Sequence, residues 1–376
     1  MPGLRPEIDP NGLLEYSVVY TDRSLNHMSG SFQAVMNDIS STLTEVYNAD
    51  AVAIVPGSGT FGMEAVARQF ARDQHCLVVR NGWFSFRWTQ ILEMGSIAKS
   101  HSVFKARPQS AEAQAAFAPA PIDEVCAAIE SEKPQLVFAP HVETSSGMLL
   151  GDDYLKRLSA SVHSVGGLLV LDCIASGTLW VDMKDLGIDV LISAPQKGWS
   201  GSPCAALVMM SERAAARLEE TESDSFACDL KKWRNIMQAY ENGGHAYHAT
   251  MPTDGLRTFA AVMQETKALG FNNTKQWQIE LGSRVRALLS ERGIASVAAA
   301  GFEAPGVVVS YTTDAAFQNG SKFAAEGLQI AAGVPLQCDE PEGFQTFRLG
   351  LFGLDKLQNI DRTVESLRTT LNKLLA

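Results

Sequence analysis

Leu168-Leu169-Val170-Leu171-Asp172 is an apolar run that ends in a carboxylate, and Val190-Leu191-Ile192-Ser193-Ala194-Pro195-Gln196-Lys197 is the next such run, leading to a lysine. Short runs of branched apolar residues suit strands covered on both faces. From Asp172 to Lys197 is 25 residues, about one strand–helix–strand step. Such a step brings two strand-end side chains to one edge of a parallel sheet, where α/β folds bind their ligands. A buried carboxylate needs a cationic partner. A desolvated lysine near another cation loses its proton and becomes a nucleophilic amine. Singly, Asp172 reads as a turn cap and Lys197 as a solvated surface residue; their order along the chain is what points to a site.

Outward from this pair the same alternation repeats. Ala51 to Val55, Cys76 to Val79, Leu136 to Ala139 and Ala205 to Met209 are further apolar runs, separated by longer mixed segments. Helical spacing of Phe32, Val35, Ile39, Leu43 and Val46 predicts a helix over 31–47, and others follow at 63–70 and 86–94. The expected fold is α/β, a mainly parallel central sheet sandwiched by helices over residues 21–264, preceded by a Pro- and Gly-rich arm at 1–20. A smaller α+β domain is expected over 265–376. It comprises a helix at 275–295, strands at 307–311 and 347–351, a helix at 317–328 and a closing helix at 357–375.

The first run leads into Val55-Pro56-Gly57-Ser58-Gly59-Thr60 and then a helix. A glycine turn at a helix N-terminus lets backbone N–H groups approach an anion, and the Ser58 and Thr60 hydroxyls add donors. The spacing is neither that of a P-loop nor G-x-G-x-x-G, and a strand-to-helix turn that needs glycine for its backbone alone reads equally well.

Bulk properties bound the rest. The chain has 376 residues, 46% hydrophobic and 19% charged, with formal net charge −11. That is a globular composition with a large core. No basic run suggests nucleic acid or a membrane surface, and no apolar stretch has transmembrane length. The six cysteines are scattered without a C-x-x-C pair, so reduced thiols in a cytoplasm are expected rather than disulfides or a metal centre.

Seven motifs occur in order: PGSGTFGMEA at 56–65, RNGWFSFRW at 80–88, HVETSSG at 141–147, VLDCIASG at 170–177, SAPQKG at 193–198, YHAT at 247–250 and FRLGLFG at 347–353. On these the chain resembles the class V aminotransferases of pyridoxal-phosphate (PLP) fold type I, particularly the alanine–glyoxylate (serine–pyruvate) branch. It is also similar to 2-aminoethylphosphonate–pyruvate transaminase. The resemblance implies a transaminase that takes a small-molecule amino donor and a 2-oxo acid acceptor, pyruvate or glyoxylate. By position, Lys197 would hold PLP as a Schiff base and Asp172 would pair with its pyridine nitrogen. Phe84 would cover the ring, with Trp83 and Phe86 as alternatives, and Ile174 would pack beneath it. Ser145 would bond its phenolate oxygen. Ser58, Gly59, Thr60 and Gln196 would hold the phosphate. Tyr247 and Thr250 would reach the phosphate of a second subunit, which implies a homodimer with shared sites. Arg348 would grip the substrate carboxylate, for which a planar fork is suited.

Two segments depart from the family pattern. Tyr20-Thr21-Asp22-Arg23-Ser24-Leu25-Asn26-His27 stands where a Gly-Pro-Gly-Pro loop is usual, so Arg23 is a candidate substrate contact, against a solvated loop. Leu336-Gln337-Cys338-Asp339-Glu340-Pro341-Glu342-Gly343 replaces a glycine-rich loop and is expected to bring three carboxylates to the pocket mouth. A lyase of the same fold is the other reaction open at this point. A cysteine desulfurase fits less well, because Gln196 rather than His precedes Lys197 and only Cys338 lies in a suitable region.

Overall fold

The computed structural model describes residues 5–375. The central sheet has seven strands: β1 (Ala51–Pro56), β2 (His75–Arg80), β3 (Ser100–Lys105), β4 (Leu136–Pro140), β5 (Leu168–Asp172), β6 (Val190–Ser193) and β7 (Ala205–Met210). Their spatial order is β1-β7-β6-β5-β4-β2-β3. The pairs from β6 through β3 are parallel, whereas β7 is antiparallel to both β6 and β1. The sheet is thus parallel apart from one inserted strand. That strand has a consequence for Lys197. An antiparallel neighbour lets the chain leave β6 and re-enter the sheet from the same edge, so residues 194–204 form a loop along that edge. Gly57, just after β1, donates its N–H to the carbonyl of Cys204 at 3.0 Å, which ties this loop's end to the glycine turn.

Every residue of β4, β5, β6 and β7 is buried. Successive strand residues point to opposite faces, so both faces are covered. Helix α1 (Gly30–Tyr47) buries Phe32, Met36, Ile39 and Leu43, and the Ser29 hydroxyl caps it by accepting from the N–H of Phe32 at 3.1 Å. Each such buried side chain contributes about 1.5–3 kcal/mol. Helix α2 (Gly59–Phe70) lies on β7 and β6. Its close approach depends on Gly62, where a Cβ would come within 2.5 Å of the Ala206 methyl. Helices α3 (Trp83–Met94), α4 (Ile122–Glu132) and α5 (Asp152–Ser164) fill the connections between the parallel strands.

The carboxyl-terminal part is built on an antiparallel sheet of β8 (Val307–Tyr311), β9 (Ala331–Ala332) and β10 (Thr346–Gly350), in the order β8-β10-β9. Helices Phe271–Ser290 and Ile360–Leu374 pack with it around Leu281, Val285, Phe323, Phe347 and Leu371. The helix expected at 275–295 begins earlier and stops at Ser290. The one expected at 317–328 is two short helices, Ala315–Gln318 and Ser321–Ala325, split by Gly320 at φ 78°. The closing helix is likewise divided, at Asn359. Residues 5–29 contain no helix or strand, and Leu13, Tyr16 and Val18 are almost fully exposed there; residues 1–4 of the expected arm lie outside the described residues.

Candidate active site

The site lies at the carboxyl edge of β5 and β6. Asp172 closes β5 and is registered opposite Ile192 of β6. Its carboxylate is buried and, among the described residues, accepts a single hydrogen bond, from the N–H of Ile174 at 3.0 Å. Burial pushes its pKa up from 3.8 to about 6, with the charge of Glu143 adding to the rise. Arg87 and Lys197 pull the other way without cancelling it.

Lys197 is half-buried in the β6–β7 loop, its Nζ 5.5 Å from the ring centre of Phe352. Burial lowers its pKa; Asp172 opposes the change, and Arg348 and Arg87 assist it. The amine is thereby biased toward its neutral, nucleophilic form. The neighbouring Gln196 has its Oε1 buried without a hydrogen-bond partner.

The glycine turn lies alongside. Ser58 precedes α2 in an extended conformation and makes no side-chain cap, while the N–H groups of Gly59 and Thr60 open the helix, where no intrahelical acceptor exists for them. Gly59 lies close under Ile174: a Cβ there would come within 2.5 Å of Ile174 Cδ1, so that side chain would have to shift. The turn and Ile174, two residues after Asp172, therefore lie against each other.

Phe84 sits in the first turn of α3. Its ring centre is 5.2 Å from the Arg87 guanidinium carbon and 5.6 Å from that of Arg348. Trp83 and Phe86 pack on each other instead, and Phe86 lies under the guanidinium of Arg80 at 4.6 Å. Arg348, on β10, donates Nε to the carbonyl of Ala332 at 2.8 Å, which fixes the plane of its fork. Burial lowers its pKa, which the charge of Glu143 opposes.

Two site residues escaped the sequence reading. Glu143, in the two-residue strand Val142–Glu143 that follows β4, is fully buried. Its oxygens accept from the N–H groups of Phe84, Ser85 and Ser145 and from the hydroxyls of Ser85 and Ser145, at 2.7–3.2 Å. It thereby holds the start of α3, and with it Phe84. Arg87 is the other: its Nη1 donates to Thr60 Oγ1 at 2.9 Å. The signal for it was its i,i+3 spacing from Phe84, which puts both on one helix face. For Glu143 the signal was an acidic residue inside an otherwise apolar and small-residue stretch.

Other expectations are redirected. The Ser145 hydroxyl donates to Glu143 and accepts from the N–H of Trp83 at 2.8 Å. Its hydrogen is therefore already used, and Ser145 shapes the site rather than offering a donor to a ligand oxygen. Arg23 is exposed, and no hydrogen bond or ion pair joins it to the site among the described residues. Tyr247 and Thr250 bond each other, OH to Oγ1 at 3.1 Å, on the exposed surface. The three carboxylates expected at the pocket mouth are not free as a set. Asp339 pairs with Lys105 at 2.6 Å, and Glu340 accepts from the N–H groups of Leu336, Gln337 and Cys338 in its own loop. Cys338 is buried, its thiol pushed up to about 12 by burial and its Sγ donating to the Arg80 carbonyl. It is no mobile nucleophile.

A family model described as aminotransferase class-V matches residues 13–333. The chain is 24% identical over 360 residues to alanine–glyoxylate aminotransferase of Rattus norvegicus, covering 93% of this chain and 82% of that one. It is 28% identical over 376 residues to 2-aminoethylphosphonate–pyruvate transaminase of Burkholderia ambifaria, covering 94% and 92%. Among solved structures, alanine–glyoxylate aminotransferase from Nostoc sp. superposes with a TM-score of 0.76 at 21% identity, covering 92% of this chain and 88% of that chain.

Proposed function

This chain belongs to the class V aminotransferase family, and from that premise we propose that it moves an amino group from a small amino acid to pyruvate or glyoxylate. The observation that carries the reading is the convergence of Lys197, Asp172 and Arg348 beside the Ser58–Thr60 turn. Members of this family depend on PLP, and the residues fit that group. Asp172 is a buried carboxylate with one donor, suited to a protonated pyridine nitrogen. The opening N–H groups of α2 form a cradle of unspent donors suited to a phosphate, to which the Gln196 amide would contribute through its Nε2 rather than its buried Oε1. Ile174 and Phe84 supply apolar surface for a ring.

Bound there, PLP supplies an aldehyde that accepts nitrogen and a ring that delocalises electrons from the substrate α-carbon. Lys197 would hold the cofactor through its amine. Once released, the same amine would carry a proton away from the substrate α-carbon, a task that requires a neutral amine, the direction in which burial moves it. Asp172 would hold the proton on the ring nitrogen. Arg348 would orient the donor by its α-carboxylate, with Nε fixed by Ala332 and the two Nη groups available. Phe84 and Phe352 would exclude water from one side. In this proposal the larger unit, 21–264, carries the reaction centre and the smaller, 265–376, lends Arg348.

The same reading includes a homodimer in which Tyr247 and Thr250 of each subunit complete the phosphate seat of the other; their exposure in one chain supports it. A cytoplasmic setting fits six free cysteines. No helix among the described residues is long and apolar enough to cross a membrane. A second reading keeps the site but makes 2-aminoethylphosphonate the donor, as the name of the Burkholderia relative suggests.

Steady-state kinetics with alanine, serine, aspartate and 2-aminoethylphosphonate against pyruvate and glyoxylate tests both. Parallel double-reciprocal lines with an amino acid donor are expected of a two-stage transfer. Ammonia release with no acceptor present would overturn the transfer in favour of a lyase.

A further inference from the structure

Arg87 is a half-buried guanidinium with no carboxylate at ion-pair distance among the described residues. One of its N–H groups is committed, to Thr60 Oγ1 at 2.9 Å in the first turn of α2. Its carbon lies 5.2 Å from the centre of Phe84, whose backbone is held by Glu143. Its charge reaches both Asp172 and Lys197. The side chain is thus steered toward the glycine turn from a helix that Glu143 anchors, and it arrives with most of its donors uncommitted. A cation withdrawn from water without an anion is costly. A planar fork beside helix-opening N–H groups matches an oxyanion with several oxygens.

We propose that Arg87 is a phosphate-anchoring residue of the cofactor seat, supplied by the same subunit as Lys197. Resting on the PLP reading above, the proposal adds the cationic partner that the Ser58–Thr60 turn and Gln196 lack. Thr60 is the hinge of the arrangement. Its hydroxyl accepts from Arg87 and so is left to donate its own hydrogen to the same oxyanion.

The test uses cofactor-free protein: wild type, Arg87→Ala and Arg87→Lys. Each is titrated with PLP and with pyridoxal, which lacks the phosphate, following tryptophan fluorescence. The melting temperature with and without inorganic phosphate is a second readout. Arg87→Ala is expected to raise the Kd for PLP about 10- to 100-fold, the weight of one or two charge-assisted hydrogen bonds. Its Kd for pyridoxal should stay at the wild-type value, and stabilisation by inorganic phosphate should be lost. Arg87→Lys, which keeps the charge but not the fork, should recover part of both. An unchanged Kd for PLP overturns the proposal. So does an equal weakening of PLP and pyridoxal, which would mean that Arg87 acts through Phe84 or the fold. A rise confined to the KM of anionic substrates would assign the guanidinium to substrate instead. A wild type that binds neither PLP nor pyridoxal would refute the cofactor reading itself, a result separable from every variant outcome.

Discussion

The end of β5 and the short strand after β4 each bury a carboxylate in the same candidate site, and the two are satisfied to opposite degrees. Asp172 receives one backbone N–H. Glu143 receives three N–H groups and two hydroxyls. A buried acceptor without donors bears its desolvation cost until something supplies a proton or a charge, whereas a saturated one is finished with the folded chain. The comparison separates groups that await a ligand from groups that build the place for it. In the proposed reading, Lys197, Gln196, Arg348 and Asp172 are of the first kind; Glu143, Ser145 and Ser85 are of the second. Ser145 shows the use of the distinction, because its motif suggested a ligand contact while its hydrogen bonds make it a strut.

Substitutions should divide along the same line. Lys197→Ala should have the largest effect, a fall in kcat of roughly 10⁴-fold, the upper end of what a positioned proton-transfer group supplies, with little change in melting temperature. Asp172→Asn should lose about 2–5 kcal/mol of transition-state stabilisation, since it removes one partner of a buried charge pair; kcat/KM measures this. The same variant should nonetheless be the more stable one without cofactor. Because the folded pKa of Asp172 is raised from 3.8 to about 6, the folded wild type holds a proton that the unfolded chain has released. Its stability therefore falls as pH rises between those values and stays lower above them. Asp172→Asn should escape this, gaining roughly 3 kcal/mol above pH 6 and nothing below about pH 4. Melting curves of both cofactor-free proteins across that range would show it, and a constant difference would contradict it.

Glu143→Ala should do the reverse of Asp172→Asn. It orphans backbone donors at the start of α3, so unfolding in denaturant should show a loss of about 1–3 kcal/mol or more. If it left stability unchanged and removed activity alone, the contrast between the two carboxylates would fail. Arg348→Ala should cost about 1.5–3 kcal/mol in kcat/KM for amino acid donors and almost nothing for a donor that lacks a carboxylate.

The sheet was readable from sequence because fully buried strands leave continuous apolar runs, as at Leu168–Leu171 and Ala205–Met209. The strand at Ser100–Lys105 was not. It lies at the sheet edge, none of its residues is fully buried, and its polar side chains break the run. The reversed direction of β7 left no local trace either, since its residues are as apolar as those of the strands that run parallel to one another and only pairing sets its direction. In the candidate site, the proximity of Lys197 and Asp172 was legible because strand ends deliver side chains to one edge. Glu143 and Arg87 were not, because their roles depend on where α3 begins relative to the β4 turn and α2. Asp339 and Glu340 misled for a related reason: a run of acids says nothing of the lysine and the backbone N–H groups that fold back to meet them.

The most direct test is to reduce the PLP-loaded protein with borohydride, digest it and locate the attached pyridoxyl group by mass spectrometry. The group is expected on Lys197, within the peptide that carries Gln196. A protein labelled on another lysine, or not labelled at all, would contradict the assignment of the reaction centre.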